Sequence, residues 1–371
     1  MDSLRTQEPK IQAGQSIDDL DTPQLLLDLD IVDANLRHLL TKARQSGVSL
    51  RVHFKSLKCT GLARYLAERG VERFLCAKLN EAEALVAAGF KDVLLANQIV
   101  GSIKYARLAG LAGIAREGNV AVCVDDLDNA RAIAAAARAA KATVGILVEV
   151  NIGMNRCGVE VGPAVAALAR EIAAEPGLRF LGLQGYDGHL QMLADQEERR
   201  SKAVAGAEKL VQARKMVEAA GLSTPIVTGA GTGTWEFVVS VPGVTEIQPG
   251  SFVLMDAAYH RIRPEFGCAL SVRAAVISRR PGQYVLDAGT KAVSRDFGTP
   301  EVKARPNDRV VRTSEEHTIV ETTSGEPALG EAVEILPAHC CATMNLHRTC
   351  VAVRRGWVEH VWPIECSGRY D

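Results

Sequence analysis

The sequence predicts an α/β protein: a (β/α)8 barrel of the TIM type with a C-terminal all-β domain that an N-terminal strand joins. Short runs rich in Val, Leu and Ile alternate with longer Ala- and Leu-rich segments up to residue 252, which is typical of repeated β-α units. After residue 252 the helical spacing ends, and alternating β-type runs lie between Gly and Pro turns. The 371 residues, 47 % of them hydrophobic, are sufficient for two domains.

Nine apolar runs precede residue 252, but a barrel of eight units has no place for a ninth strand. We therefore expect residues 24–30 to join the β domain, and the barrel strands to occupy 50–252. The domain boundaries are predicted at 31–260 for the barrel, with 1–30 and 261–371 forming the β domain. The strands are expected at 24–30, 50–55, 73–77, 92–97, 120–125, 144–150, 180–186, 225–230 and 246–252, with helices at 80–88, 127–141, 163–174 and 194–220.

The charge balance excludes several classes of partner. The chain has 43 basic and 44 acidic residues and a formal charge of −1, so we expect no nucleic acid or membrane to bind it. The N-terminus is polar, without an apolar segment behind it. Nine scattered cysteines suit a reducing compartment. The sequence thus predicts a cytoplasmic protein with a small-molecule partner.

Polar and glycine residues stand where the predicted barrel strands end, and active sites of such barrels are built there. Lys55 ends the first strand, Arg156 follows the fifth, Tyr186 ends the sixth, GAGTG (229–233) follows the seventh and Gly250-Ser251 the eighth. Glycine loops after the last two strands, with a short helix beginning near Thr232, indicate a phosphate site. Taken alone, GAGTG is more typical of a tight turn into a helix than of a phosphate site.

Lys55 has two interpretations. A lysine at the end of an apolar strand is ordinarily a solvated terminus. A lysine facing a barrel mouth opposite a phosphate site can instead lose its proton on desolvation and bond to an aldehyde cofactor. Pyridoxal 5'-phosphate supplies both the aldehyde and the phosphate.

Many segments of the chain, in the same order, resemble the fold-type III pyridoxal phosphate enzymes. NIGMNRCGV (151–159) is similar to a segment of alanine racemases, and the whole chain from residue 21 resembles the D-threonine aldolase and 3-hydroxy-D-aspartate aldolase group, sisters of the D-serine dehydratases. Further similar segments are HFK (53–55), LQGY (183–186), GAGTGT (229–234), QPGSFVLMDAAY (248–259), VLDAGTKAVS (285–294), EEHTIVE (315–321), LPAHC (336–340) and NLH (345–347).

The resemblance implies a role for each residue at the barrel mouth. Lys55 would attach covalently to the cofactor, and Arg156 would lie against its ring oxygen. His53 and Tyr186 would lie close by. The phosphate would be held by residues of the two glycine loops, namely Gly231, Thr232, Gly233, Gly250 and Ser251. Arg156 has an alternative role as a surface ion-pair former.

His339 and Cys341 are candidate metal ligands. They stand two apart after Pro337, so in an extended stretch both side chains would point to one face. With nine cysteines and eight histidines such a pair also arises by accident. The resemblance implies a divalent metal here. A thiolate favours Zn²⁺ over Mn²⁺, Mg²⁺ or Co²⁺. His-x-Cys is typical of the dehydratases, whereas the aldolases have His-x-Asp.

Asp187 and His189 are both candidates for the residue that takes a proton from the substrate hydroxyl. A carboxylate beside an activated alcohol can accept a proton, and an imidazole titrates near operating pH. Asp187-Gly188 is also an ordinary turn dipeptide.

The sequence therefore predicts a pyridoxal phosphate- and metal-dependent lyase that cleaves a D-β-hydroxy-α-amino acid to glycine and an aldehyde. A dehydratase that gives a 2-oxo acid and ammonia is the alternative. A non-catalytic pyridoxal phosphate carrier would lack the β domain, and an alanine-type racemase has no use for a metal pair. The resemblance further implies a homodimer.

Overall fold

The structure is a computed structural model that describes residues 11–115 and 119–370. The chain forms two compact units: one contains the residues up to Asn35 and Val253–Ser367, the other Leu36–Phe252 and the residues from Gly368. The boundaries between the units thus follow residues 35 and 252. The prediction from the sequence placed them after residues 30 and 260. None of the helices in the described ranges is both long enough and apolar enough to span a membrane.

The barrel unit is a closed ring of parallel strands, as predicted, and the last strand pairs with the first. After β1 (Gln24–Asp28) and α1 (Leu29–Gln45), strands and helices alternate along the chain. The strands are β2 (Ser49–His53), β3 (Arg73–Cys76), β4 (Asp92–Leu95), β5 (Asn119–Val124), β6 (Val144–Asn151), β7 (Val159–Glu160), β8 (Leu178–Gly185), β9 (Ile226–Gly229) and β10 (Glu246–Ile247). The short β7 pairs with β6 beside the ring.

The helices of the barrel unit lie between these strands in sequence. They are α2 (Phe54–Leu57), α3 (Thr60–Ala67), α4 (Leu79–Ala87), α5 (Ser102–Ile114), α6 (Leu127–Ala139), α7 (Pro163–Ala174), α8 (Gln196–Ala219) and α9 (Trp235–Val238). Asp126 caps α6 by accepting from the backbone N–H of Asn129, and Asp195 caps α8 by accepting from Glu198. Such caps set where each helix begins and hence how long the preceding loop is.

The two ends of the barrel strands differ in chemistry. Near the ends where the strands begin, buried Arg51 donates to Glu246 at 2.8 Å and to Asp92 at 2.7 Å. Leu75, Leu94 and Leu147 belong to an apolar cluster formed by the neighbouring strands. Buried charges are tolerated when they are paired in this way. The candidate site residues follow the opposite, carboxyl ends of the strands.

The second unit is built on a mixed sheet, and β1 lies inside it. Leu26 of β1 pairs antiparallel with β11 and parallel with β17, which confirms that the N-terminal strand joins the C-terminal domain. Its remaining elements are β11 (Leu270–Arg280), β12 (Gln283–Leu286), β13 (Glu301–Val302), β14 (Asp308–Thr313), β15 (Thr318–Thr322), β16 (Ala332–Leu336), β17 (Thr349–Arg354), β18 (Trp357–Pro363), α10 (Ala257–Ile262) and α11 (Cys340–Met344).

Two local predictions need correction. The strand expected at 246–252 is only the two residues of β10, because a 3-10 turn at Ser251–Val253 follows the loop containing Gly250. The short helix expected near Thr232 begins at Trp235. The strand therefore ends earlier, and the helix begins later, than the sequence pattern predicts.

Candidate active site

Lys55 lies just beyond the end of the first barrel strand. Strand β2 ends at His53, and α2 begins at Phe54, so Lys55 is in the first turn of a short helix rather than in the strand. The His53 ring caps this helix, because its Nδ1 accepts from the Lys55 backbone N–H at 3.4 Å. The lysine side chain is partly exposed. The histidine two residues before it therefore contacts the backbone of Lys55.

Two cations approach the ring of Tyr186, which follows β8. Lys55 Nζ lies 5.4 Å from the ring centroid, and Arg156 Cζ lies 5.7 Å from it. Cations are attracted to aromatic faces at such distances. The structure thus brings together three of the predicted site residues, which are 101 and 30 positions apart along the chain (55 to 156 and 156 to 186).

Arg156 has a buried acidic neighbour that sequence reasoning missed. Its Nη2 lies 4.0 Å from Glu149 Oε1, and Gln98 Nε2 donates to the other carboxylate oxygen of Glu149 at 2.5 Å. Burial raises the pKa of Glu149, while the bond from Gln98 and the charge of Arg156 oppose that shift. The available signal was a single glutamate within the otherwise apolar strand β6.

His53 is neutral at physiological pH. Burial lowers its pKa well below the ordinary value, and the positive charges of Lys55 and Arg156 act in the same direction. A hydrogen bond between the ring and the Leu75 backbone opposes the shift without reversing it. The imidazole can therefore accept a hydrogen bond from the Lys55 backbone without adding another positive charge.

The glycine loops after β9 and β10 contact each other. Thr232 Oγ1 accepts from the backbone N–H of Phe252 at 3.1 Å, which connects the two loops. At Gly250 a Cβ would lie only 2.7 Å from the His53 carbonyl oxygen, so glycine allows this loop to approach the end of β2. Thr232 and Ser251 are buried. Backbone N–H groups and hydroxyls brought together at strand ends suit a phosphate group.

Gln191 supports the first of these loops, and sequence reasoning did not identify it. Its Oε1 accepts from Gly233 N–H at 2.8 Å, while its Nε2 donates to Asp187 Oδ1 at 2.8 Å and Thr234 Oγ1 at 2.9 Å. A Cβ at Gly231 would lie 2.4 Å from Gln191 Oε1. The Gln191 amide therefore connects this loop to Asp187.

The two candidate proton acceptors lie in different environments. Asp187 is buried, and burial raises its pKa to about 6 against opposing hydrogen bonds from Thr234 and Gln191. His189 is exposed and lies beside Gly153, where a Cβ would be 3.6 Å from His189 Nε2. Its pKa is lowered by partial burial of the ring and by the charge of Lys202. Asp187 supports a loop, and His189 presents a neutral imidazole.

His339 and Cys341, in the second unit, are not in an extended stretch, which corrects that expectation. His339 is the N-cap residue of α11, and Cys341 lies in the first helical turn. The helix begins here because buried Asp256 Oδ2 accepts from Cys340 N–H at 2.8 Å. The two side chains nevertheless meet and form a hydrogen bond.

The donor chemistry of this pair suits a thiophilic divalent ion. An imidazole and a thiol are the groups that zinc prefers in proteins. Asp296 Oδ2 lies 2.7 Å from His339 Nδ1. Burial lowers the pKa of His339, but Cys341 and Asp296 together raise it to about 9. Among residues 11–115 and 119–370, no group of three or more His, Cys, Asp or Glu side chains is arranged to hold a metal.

The barrel with its lysine after the first strand and its glycine loops defines a class, the fold-type III pyridoxal phosphate enzymes. The family model "Alanine racemase, N-terminal domain" matches residues 27–258, and a serine dehydratase domain model matches 269–353. The chain belongs to the group of lyases that contains the D-threonine and 3-hydroxy-D-aspartate aldolases. The family membership predicted from the sequence is confirmed.

Three relatives support this assignment over nearly the whole chain. The chain is 36 % identical to 3-hydroxy-D-aspartate aldolase of Paracoccus denitrificans (strain Pd 1222), covering 96 % of this chain and 94 % of that protein. It is 35 % identical to D-threonine aldolase of Arthrobacter sp, covering 97 % and 96 %. The crystal structure of D-threonine aldolase from Filomicrobium marinum matches with a TM-score of 0.92 and 39 % identity, covering 96 % and 99 %.

A dehydratase of the same fold is more distant. D-threo-3-hydroxyaspartate dehydratase, solved as a cysteine-to-alanine mutant in the metal-free form, matches with a TM-score of 0.83 and 28 % identity. It covers 94 % of this chain and 98 % of that one. Both branches therefore share the architecture of this protein.

Proposed function

We propose that this lyase cleaves D-β-hydroxy-α-amino acids, of the D-threonine or D-3-hydroxyaspartate type, into glycine and an aldehyde. The observation that carries the proposal is the match to a D-threonine aldolase structure at a TM-score of 0.92 over 96 % of this chain. The dehydratase structure matches less well, at 0.83. The bond broken would be Cα–Cβ, and the hydroxyl oxygen would stay on the aldehyde.

Pyridoxal phosphate is the cofactor we propose. Lys55 would hold it covalently, and Tyr186 and Arg156 would lie near its ring. Its phosphate would be bound by the two connected glycine loops, with Gly231, Thr232, Gly233, Gly250 and Ser251 as the binding residues. When bound, it supplies the electron sink into which a substrate bond can break. The buried loop hydroxyl of Thr232 and the close approach at Gly250 support this fit.

The residues around Lys55 would keep the site positive for an anionic cofactor and an anionic substrate carboxylate. His53 contributes no charge, because burial and its cationic neighbours keep it neutral. Glu149 would orient Arg156 through its Oε1 atom, which lies 4.0 Å from Arg156 Nη2. Gln98 donates a hydrogen bond to the other carboxylate oxygen of Glu149. Such support from behind keeps a binding side chain in one orientation.

His189 is the residue we propose to accept the proton of the substrate hydroxyl. It is exposed, and its lowered pKa keeps the imidazole neutral and ready to accept a proton at neutral pH. Asp187 is buried and hydrogen-bonded to Gln191, so its proposed role is to position the glycine loop. Of the two candidates, only His189 is exposed.

His339 and Cys341 are the ligands we propose for a divalent metal, with zinc favoured over Mn²⁺, Mg²⁺ or Co²⁺ because one donor is a thiol. A bound divalent ion would lower the pKa of a coordinated hydroxyl. The hydrogen bond between the two side chains supports this assignment, because it brings the imidazole and the thiol next to each other.

Dehydration is the second candidate function, and Cys341 is the observation that favours it. The sequence resemblance assigns His-x-Cys to the dehydrating branch. A dehydratase would release the hydroxyl as water, and a second water would then hydrolyse the resulting imine to a 2-oxo acid and ammonia.

Product analysis separates the two functions. The holoenzyme is incubated with D-threonine and with D-3-hydroxyaspartate, and glycine, aldehyde, 2-oxo acid and ammonia are measured. We expect glycine and aldehyde in equal amounts, with L-threonine as the inactive control. Release of 2-oxobutanoate or oxaloacetate together with ammonia, without acetaldehyde or glyoxylate, would assign the protein to the dehydratases.

We also propose that the enzyme is a cytoplasmic homodimer. The family resemblance supports the dimer. The nine cysteines all fall within the described ranges and form no disulfide there, which suits a reducing compartment. Light scattering after size-exclusion chromatography should give twice the chain mass of 39.7 kDa. A monomeric mass at micromolar concentration would contradict the dimer.

A further inference from the structure

His339 is held from two sides by a loop of the same unit. Asp296 Oδ2 lies 2.7 Å from the imidazole Nδ1. The ring of Phe297 stacks on the imidazole, with centroids 3.9 Å apart and planes only 5° from parallel. The carboxylate limits rotation of the ring within its plane, and the stacked phenyl limits its tilt. The orientation of the imidazole is therefore determined by two consecutive residues.

The loop that carries these residues is itself bonded to the segment of His339. Thr343 Oγ1 accepts from Ser294 N–H at 3.1 Å and donates to the His339 carbonyl at 2.9 Å. Ala338 N–H donates to the Ser294 carbonyl at 3.3 Å. The Ser294 hydroxyl donates to the second carboxylate oxygen of Asp296. The contact between Asp296 and His339 is therefore part of a connected arrangement.

We propose that Asp296 is a positioning residue for the metal ligand His339, with Phe297 as its partner. Asp296 accepts a hydrogen bond from the protonated Nδ1 and so leaves Nε2 as the nitrogen that would bind the metal, beside the Cys341 thiol. Metal-binding histidines commonly donate their other nitrogen to a carboxylate, which sets the tautomer and the ring orientation. This inference rests on the proposed metal-dependent function.

A positioning role and a purely structural role for the contact between Asp296 and His339 predict different results when Asp296 is removed. The Asp296 side chain is 51 % exposed, and exposed pairs contribute little to folding stability. Loss of Asp296 should therefore leave the thermal midpoint close to that of the native protein. If the residue positions a ligand, its loss should instead weaken metal binding, by about 10- to 100-fold.

The test measures Zn²⁺ binding to the pyridoxal phosphate-loaded enzyme by competition with a chromophoric chelator. We expect Asp296→Ala to weaken Zn²⁺ binding about 10- to 100-fold. Asp296→Asn, whose amide oxygen can still accept a hydrogen bond from Nδ1–H, should recover part of the loss. Glu316→Gln removes a comparably exposed carboxylate, paired with Lys291, and should bind Zn²⁺ as the native protein does.

A second readout is the tautomer of His339. In ¹⁵N NMR spectra of the native holoenzyme without metal and with Zn²⁺, we expect metal to shift Nε2 while Nδ1 keeps its proton. A metal-induced shift at Nδ1 would overturn the inference. So would native-like Zn²⁺ affinity in Asp296→Ala, when His339→Ala abolishes binding. If His339→Ala leaves Zn²⁺ binding unchanged, both the inference and the proposed metal site are wrong.

Discussion

The two units of the molecule each contain a buried or half-buried histidine beside a candidate site, and the pKa values of these histidines shift in opposite directions. In the barrel unit, burial and the charges of Lys55 and Arg156 lower the pKa of His53 well below its usual value. In the second unit, Cys341 and Asp296 overcome the effect of burial and raise the pKa of His339 to about 9. The difference follows from the neighbours, because both side chains are imidazoles.

The comparison indicates what each region is suited to bind. The barrel mouth has two cations on one aromatic ring and a neutral histidine, so it suits an anionic ligand such as a phosphate ester. The second unit has a thiol and a carboxylate next to its imidazole, so it suits a cation. The first two predictions below each test one side of this contrast, and the next two test the charge states of groups in the barrel unit.

The largest effect is expected at the barrel mouth, where Lys55 lies. Lys55→Ala should reduce kcat/KM at least about a thousand-fold, because the variant loses the amine that holds the cofactor. The exposed Lys104→Ala is the matched control and should remain active. Borohydride treatment of the native enzyme should attach the cofactor to the peptide containing Lys55. Recovery of the label on another lysine would show that a different residue holds it.

Removal of the metal should have the next largest effect. A chelator should lower activity about a hundred-fold or more and leave the cofactor absorbance unchanged, because different residues hold the two groups. Zn²⁺ should restore activity at least as well as Mg²⁺. Cys341→Ala should behave like the chelated enzyme, whereas Cys268→Ala, in the same unit, should not. Full activity without any divalent metal, by elemental analysis, would remove this site from the mechanism.

The choice of proton acceptor is tested by His189→Gln, which should lower kcat about a hundred-fold. The imidazole acts in its neutral form, so activity should fall as the pH decreases through the pKa of His189. Because that pKa is lowered from 6.5, the decline should lie below pH 6.5 in the native enzyme. It should disappear in the variant. If Asp187→Asn removes the decline at full cofactor occupancy, Asp187 is the base.

The smallest effect concerns stability. Burial raises the pKa of Asp187 from 3.8 to about 6. The folded state therefore holds this proton more tightly than the unfolded state, so stability falls as pH rises from about 4 to 6. The loss attributable to this group is up to about 3 kcal/mol.

Urea unfolding at pH 4 and pH 7.5 measures this dependence. Asp187→Asn should lose less stability than the native protein between the two values, since its amide does not ionise. The exposed Asp128→Asn should follow the native protein. Equal pH dependence in all three would show that the carboxyl of Asp187 titrates normally.

Much of the fold could be predicted because the periodic signals are local. Strand β6 is buried along nearly its whole length, and its residues are apolar except for Glu149 and the final Asn151. Parallel strands in a barrel bring their carboxyl ends to one face, which is why the sequence alone could group Lys55, Arg156 and Tyr186. The helical start of α11 could not be predicted, because buried Asp256, 84 residues away in sequence, caps it.

The sequence by itself determined the alternation of strands and helices, the assignment of residues 24–30 to the second unit, and the list of candidate site residues. These depend on residue type and spacing along the chain. Only the tertiary structure decided which of those side chains carry a charge and what holds them in place. Folding brings together three pairs, Glu149 with Arg156, Gln191 with Asp187 and Asp296 with His339. Such neighbours set the pKa of a side chain through burial and distance, and the spacing of residues along the chain does not encode either quantity.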